Sequence, residues 1–303
     1  MLVRKLMQTL NPAEEKSECE VLIPRIIVVF VAYISAVAMI VVAVLGPLGT
    51  ESIQYRTSQS GVWQIEGGDV VNLFLISPIL LIGGTLHLMR RSSSRYFLIL
   101  TPVVLMYTGL TLGIGQEWGN PQYTGNSEQY SLLFLTMVIG GLILLVGTLS
   151  SFSERDAPDF ARRGLRAYVG IMSLFLLIFA AMWLSELRQV MSTGDLPSGS
   201  YSKAPVLWWT IRFLDLGVTI PLGFLSLFLL LSRPKTSYPI VLLFFGFFVT
   251  LGTAVLSMAI VMTVNNDPEA QPGSLVIFAM LAALSWAGLL YLVKDKLRWP
   301  TRL

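Results

Sequence analysis

The sequence holds one cysteine, Cys19, and one histidine, His87. An intrachain disulfide is therefore excluded, and so are the thiolate and imidazole clusters that hold structural zinc. Charge is scarce as well. Only 13% of the 303 residues are Asp, Glu, Lys or Arg, against about 25% in soluble domains. No GxxxxGK[ST] pattern occurs. The pairs Gly83–Gly84 and Gly140–Gly141 are thus read as small residues that let helices approach closely, not as phosphate loops. No secretory leader is expected, because residues 11–20 are polar and no small-residue cleavage site follows the first apolar run. Cys19 then reads as a plain cytoplasmic thiol.

What the chain has instead is apolar length. Hydrophobic residues make up 54% of it, and the mean hydropathy is +0.70. A span needs about 20 mainly apolar residues. Eight segments qualify, over residues 25–47, 69–89, 96–116, 129–151, 166–187, 206–231, 237–264 and 273–293. The expected fold class is an all-α polytopic membrane protein with eight transmembrane helices. Residues 2–10 could add a short amphipathic helix on the inner leaflet.

Orientation follows from the Lys/Arg bias. With both termini in the cytoplasm, 17 of the 21 basic residues fall on the cytoplasmic side. The outer loops hold Arg56, Arg188 and Lys203, and Arg212 lies within a span. The pI near 9.0 therefore reflects topology, and no nucleic-acid partner is expected. The expected partner is the lipid bilayer of a cell membrane, crossed many times.

The chain also reads as a duplication. Asn72 aligns with Asp215. Pro78 and Pro221 stand six residues later, then Arg90 and Arg233, then Tyr96 and Tyr238, then Thr108 and Thr250. The repeat is four spans long, so the halves are tandem and parallel. The organisation is a cytoplasmic segment 1–24, a first four-helix repeat 25–151, a linker 152–165, a second four-helix repeat 166–293 and a tail 294–303. Pro78 and Pro221 free the carbonyls of Phe74 and Gly217, and predict kinked, central spans 2 and 6.

Polar residues inside spans are costly and mark candidate sites. Arg212 and Asp215 lie three apart on one helix face, with Thr219 four further on. Asp215 is about 13 Å deep at 1.5 Å per residue. The spacing predicts that Arg212 and Asp215 pair, either to fix helix packing or to hold a polar ligand. Asp69 and Asn72 repeat the three-residue spacing. Glu186, at the outer end of span 5, is placed to complete an outward-facing cluster. Trp208 reads as an interfacial anchor or as a stacking surface for a ligand. No metal site and no cofactor are expected.

The stretch Arg212-x-x-Asp215-x-x-x-Thr219-x-Pro221 resembles the third helix of microbial rhodopsins. The last span holds no lysine before Lys294, so retinal binding is rejected. Residues 63–90 and 212–233 are similar to an uncharacterised prokaryotic eight-span membrane-protein family. Its members show Gln-x-x-Gly-x-Asp-x-x-Asn-Leu, a later Pro and an Arg-rich turn, then Asp-Leu, Pro and a similar turn in the second half. Gln64, Gly67, Asp69, Asn72, Leu73, Pro78, Asp215, Leu216 and Pro221 fit that pattern. Members often carry several tyrosines in the third span, whereas here Tyr107 alone lies in its interior. The resemblance implies the topology and the choice of polar positions, and it supplies no reaction.

Three function classes follow. The favoured one is a carrier or receptor for a small molecule or lipid, with an outward-facing polar cavity between the halves. The second is a non-catalytic scaffold, sensor or accessory subunit with a protein partner. The third is an intramembrane enzyme working through carboxylates. Catalysis is the less favoured reading, because no nucleophile–base pair is evident.

Overall fold

The computed structural model describes residues 22–270 and 272–294. The expected helix over 2–10, Cys19 and the tail beyond Lys294 lie outside the described residues. Among those described, eight helices are long and apolar enough to cross a membrane, and there is no strand. They are α1 Arg25–Leu45, α2 Gln59–Leu88, α3 Ser94–Ile114, α4 Ser127–Leu149, α5 Arg162–Thr193, α6 Pro205–Ser232, α7 Pro234–Val264 and α8 Pro272–Val293. The protein is an all-α, multi-pass membrane protein.

Hydropathy placed the start of the second span at residue 69, but α2 begins at Gln59. Ser58 caps it by accepting a hydrogen bond from the Gly61 N–H at 3.2 Å. Asn72 thus lies about 20 Å along the helix, which accounts for its pairing with the deep Asp215 in the sequence alignment. At the start of α6, Pro205 occupies the first turn, where its missing N–H costs nothing. The next two amides, of Val206 and Leu207, donate to Oε1 of Glu117 at 2.8 and 3.3 Å. A carboxylate from the α3–α4 loop therefore caps a helix of the other half and meets the positive end of its dipole.

Each proline follows a local change of helix type. In both α2 and α6 a π-turn comes just before the proline, over Asn72–Ile76 and Asp215–Thr219. The Ser77 and Ile220 amides close these turns on the Asn72 and Asp215 carbonyls. The wider turn makes room for a ring that would otherwise strike the carbonyl four residues back. The Ser77 hydroxyl adds a second donor to Asn72 O, at 2.7 Å.

Neighbouring helices pair within each half, α1 with α2 and α3 with α4, then α5 with α6 and α7 with α8. Across the halves, the first part of α2 packs on α7 and the first part of α6 packs on α3. The most buried helix is α7. Its Tyr238, Phe244, Phe247 and Phe248 fill the centre. Close approach comes from glycine. A Cβ on Gly67 would stand 2.5 Å from Met258 Cα, and one on Gly246 would stand 2.6 Å from Leu100 Cα. Gly141 meets the Pro102 carbonyl in the same way, in line with the sequence reading.

The aligned tyrosines are joined through the linker. Phe152 sits edge-on to Tyr96 at 5.3 Å and to Tyr238 at 6.3 Å between ring centroids. Beside them Arg95 pairs with Asp156 of the short turn Glu154–Asp156.

The expected orientation has a direct test in a Cys19→Ser background. Ser92 lies exposed in the α2–α3 turn and Ser192 is exposed at the far end of α5. Ser192→Cys should react with a membrane-impermeant maleimide on intact cells, and Ser92→Cys only after permeabilisation. The opposite pattern inverts the topology.

Candidate functional site

A cavity of about 570 Å³ opens among the loops that join α1 to α2, α3 to α4, α5 to α6 and α7 to α8. It extends down between the halves to Asn72, Ile76 and Asp215. Its walls come from α2, α3, α5, α6, α7 and α8. Most of the lining is apolar, with Phe179, Leu251, Val255 and Met258 among it, and a few polar groups converge on it. That is the usual composition of a small-molecule site.

Of the residues singled out from sequence, Asp69, Asn72, Glu186, Trp208, Arg212 and Asp215 all line this cavity. Thr219 does not. It is buried at the end of the π-turn, and the extra residue in that turn breaks the four-residue spacing that had placed it on the Asp215 face. Pro78 and Pro221 lie below the cavity floor, directly after the π-turns.

Arg212 and Asp215 do not pair with each other through a hydrogen bond. The Arg212 guanidinium lies between two indole rings, 4.1 Å from the Trp183 centroid and 4.4 Å from that of Trp208. Its Nη2 forms an ion pair with Glu186 on α5. Asp215 instead accepts from Trp183 Nε1 at 2.9 Å and from the Tyr107 hydroxyl at 3.3 Å. The two tryptophans hold the guanidinium plane and turn its donors toward α5. This stacking suits Arg rather than Lys, because the guanidinium is flat and weakly hydrated. Trp208 is accordingly no interfacial anchor: it is 4% exposed.

The α2 side is built differently. Asp69 is 1% exposed. Its Oδ1 accepts one long hydrogen bond, 3.3 Å, from Asn72 Nδ2, and its Oδ2 has no hydrogen-bond partner in the protein. No described Lys or Arg pairs with it. The bare Cα of Gly46 makes room for that oxygen, since a Cβ there would lie 2.7 Å from it. Tyr55, in the loop above, also lines the cavity. Burial pushes its hydroxyl well above the ordinary value, and the Asp69 carboxylate raises it further.

At the mouth, Lys203 of the α5–α6 segment reaches Glu269 of the α7–α8 loop at 2.7 Å. The hydrogen bond to Glu269 holds the ammonium above its usual range. Nearby, Gln116 organises the α3–α4 loop. Its Oε1 accepts from Ser127 Oγ at 2.6 Å and from the Arg56 amide at 3.0 Å.

Trp183 and Gln116 were missed from sequence, and Tyr107 was noted only through the family resemblance, without a role. Tryptophan and tyrosine in a span pass for ordinary apolar filling, and only their polar atoms give them away once partners are in view. His87 stays outside the cavity and bonds Ser94 Oγ at 3.1 Å. Among the described residues no group of three His, Cys, Asp or Glu side chains is arranged to hold a metal ion. No family model, curated protein or solved structure matches this chain.

Proposed function

We propose that this protein is a carrier or receptor for a small molecule or lipid, bound in an outward-facing cavity between two four-helix repeats. The single observation that carries the reading is the cavity itself. Asp69, Asn72, Glu186, Trp208, Arg212 and Asp215, from separate parts of the chain, converge on it, where lone buried polar groups would each be costly. The paired π-turns at aligned positions and the recurring helix pairs support the duplication. Sites at interrupted helices on a repeat interface are common in carriers. The resemblance to the uncharacterised prokaryotic family and the assignment to a prokaryotic cell membrane belong to the same proposal.

The test is native mass spectrometry of the purified chain in maltoside micelles. The unmodified protein should keep a bound small molecule or lipid through delipidation. Thr108→Phe, which fills part of the cavity, and Asp215→Asn should lose it and remain folded. Equal adducts in all three proteins, or an unmodified protein that carries none, sinks the reading.

A further inference from the structure

We propose that the cavity selects an amphipathic organic cation, an ammonium group on an apolar body, with the ammonium seated at Asp69. This rests on the ligand-binding reading above and adds the chemical class of the ligand.

The argument begins with charge. Four carboxylates line the cavity, Asp69, Glu186, Asp215 and Glu269, against one cation, Arg212. Glu186 is taken by Arg212 and Glu269 by Lys203. Asp215 accepts two neutral donors, Trp183 and Tyr107. Asp69 has only the long bond from Asn72, and its second oxygen is unpartnered although the residue is 1% exposed. A buried carboxylate with so few donors is costly. A ligand ammonium supplies both the charge and the hydrogen-bond donors, and charge-assisted bonds of that kind are the strong ones. An anion placed in the same space meets an excess of negative charge.

The apolar part of the ligand has its own surface. Leu251, Val255 and Met258 on α7 and Phe179 on α5 line the cavity. The two indole faces of the cavity, those of Trp183 and Trp208, are already occupied by Arg212. The carboxylate of Asp69 still lacks a charged partner among the described residues.

α5 and α8 meet near their basic ends, where Tyr168 stacks on Tyr291 at 4.9 Å and Gly288 packs on Met172. Toward the other end both helices line the cavity. In the first half, α1 and α4 pack closely, with Gly140 on Ser35 and Gly147 on Val28. A lipid headgroup and a free amine both offer this chemistry.

The probes are hexylamine, hexanol and hexanoate, titrated calorimetrically into the full-length protein in maltoside micelles. The three share one apolar body and differ in charge. Hexylamine should bind at least tenfold tighter than hexanol, hexanoate should bind weakest, and Asp69→Asn should remove the amine preference. Phosphatidylethanolamine added to the micelles should compete if the natural source is a lipid, and leave hexylamine binding unchanged if it is a free amine. Equal binding of amine and alcohol, or tighter binding of hexanoate, overturns the cation assignment. It does so on the unmodified protein, whatever becomes of the variant. Adducts that still depend on Thr108 would then leave the cavity as a ligand site of another class.

Discussion

Arg212→Met is expected to destabilise the protein by about 3 kcal/mol. That is the lower end of the range for removing one partner of a buried ion pair. The lower end applies because the Glu186 side chain keeps 30% exposure and can turn toward water. The substitution strands Glu186, empties the slot between Trp183 and Trp208, and removes the one cation near Asp215. Arg212→Lys keeps the charge and loses the flat stacking surface, and should cost about 1–2 kcal/mol. Glu186→Gln should cost less than Arg212→Met, because its neutral amide still accepts from the guanidinium. Unfolding followed by tryptophan fluorescence in micelles ranks the three. If Arg212→Met is as stable as the unmodified protein, the stacked guanidinium has no structural role, and its placement must be explained by the ligand alone.

The second large effect is expected at Gly67. Alanine there should cost about 2–3 kcal/mol, the upper part of the usual range for overpacking a tight contact. It should do so despite the roughly 1 kcal/mol that alanine gains in helix propensity. The added Cβ meets backbone only: Met258 Cα at 2.5 Å, Met258 N at 2.6 Å and Ser257 C at 2.9 Å. No rotamer change relieves such a clash, so α2 and α7 must part. The neighbouring Gly68→Ala is the control. Its Cβ would meet only the mobile end of Met258, Cε at 3.0 Å, and the change should stay within about 0.5 kcal/mol. Equal unfolding temperatures for the two alanine variants would show that the α2–α7 crossing is looser than described.

These two sites mark where sequence reading stops. The eight spans were legible because each carries its own apolar run, a local property. Asp69, Asn72, Glu186, Trp208, Arg212 and Asp215 were legible as candidates because polarity inside a span is conspicuous wherever it falls. Their partners were not. The three-residue spacing of Arg212 and Asp215 predicted a pair on one helix, yet Glu186, 26 residues away on α5, takes the guanidinium. A tertiary contact outcompetes a local one when two tryptophans orient the donor, and nothing near Arg212 in sequence announces Trp183. The centrality of α7 was hidden for a related reason. Its apolar residues look like any other span's, and what distinguishes it is that Gly67 and Gly246 bring α2 and α3 against it from both sides.

The π-turns have one more consequence. An α-helix turns by about 100° per residue, so a single additional residue in α2 rotates everything after it by about that angle relative to everything before. The part of α2 before the turn faces α7, and the part after it faces α1. In α6 the earlier part faces α3 and the later part faces α7 and α5. Each of these spans is thus two half-length helices on a shared axis with different neighbours. A one-residue insertion at each place lets a single crossing of the membrane serve the joint between the halves in one leaflet and the body of its own half in the other.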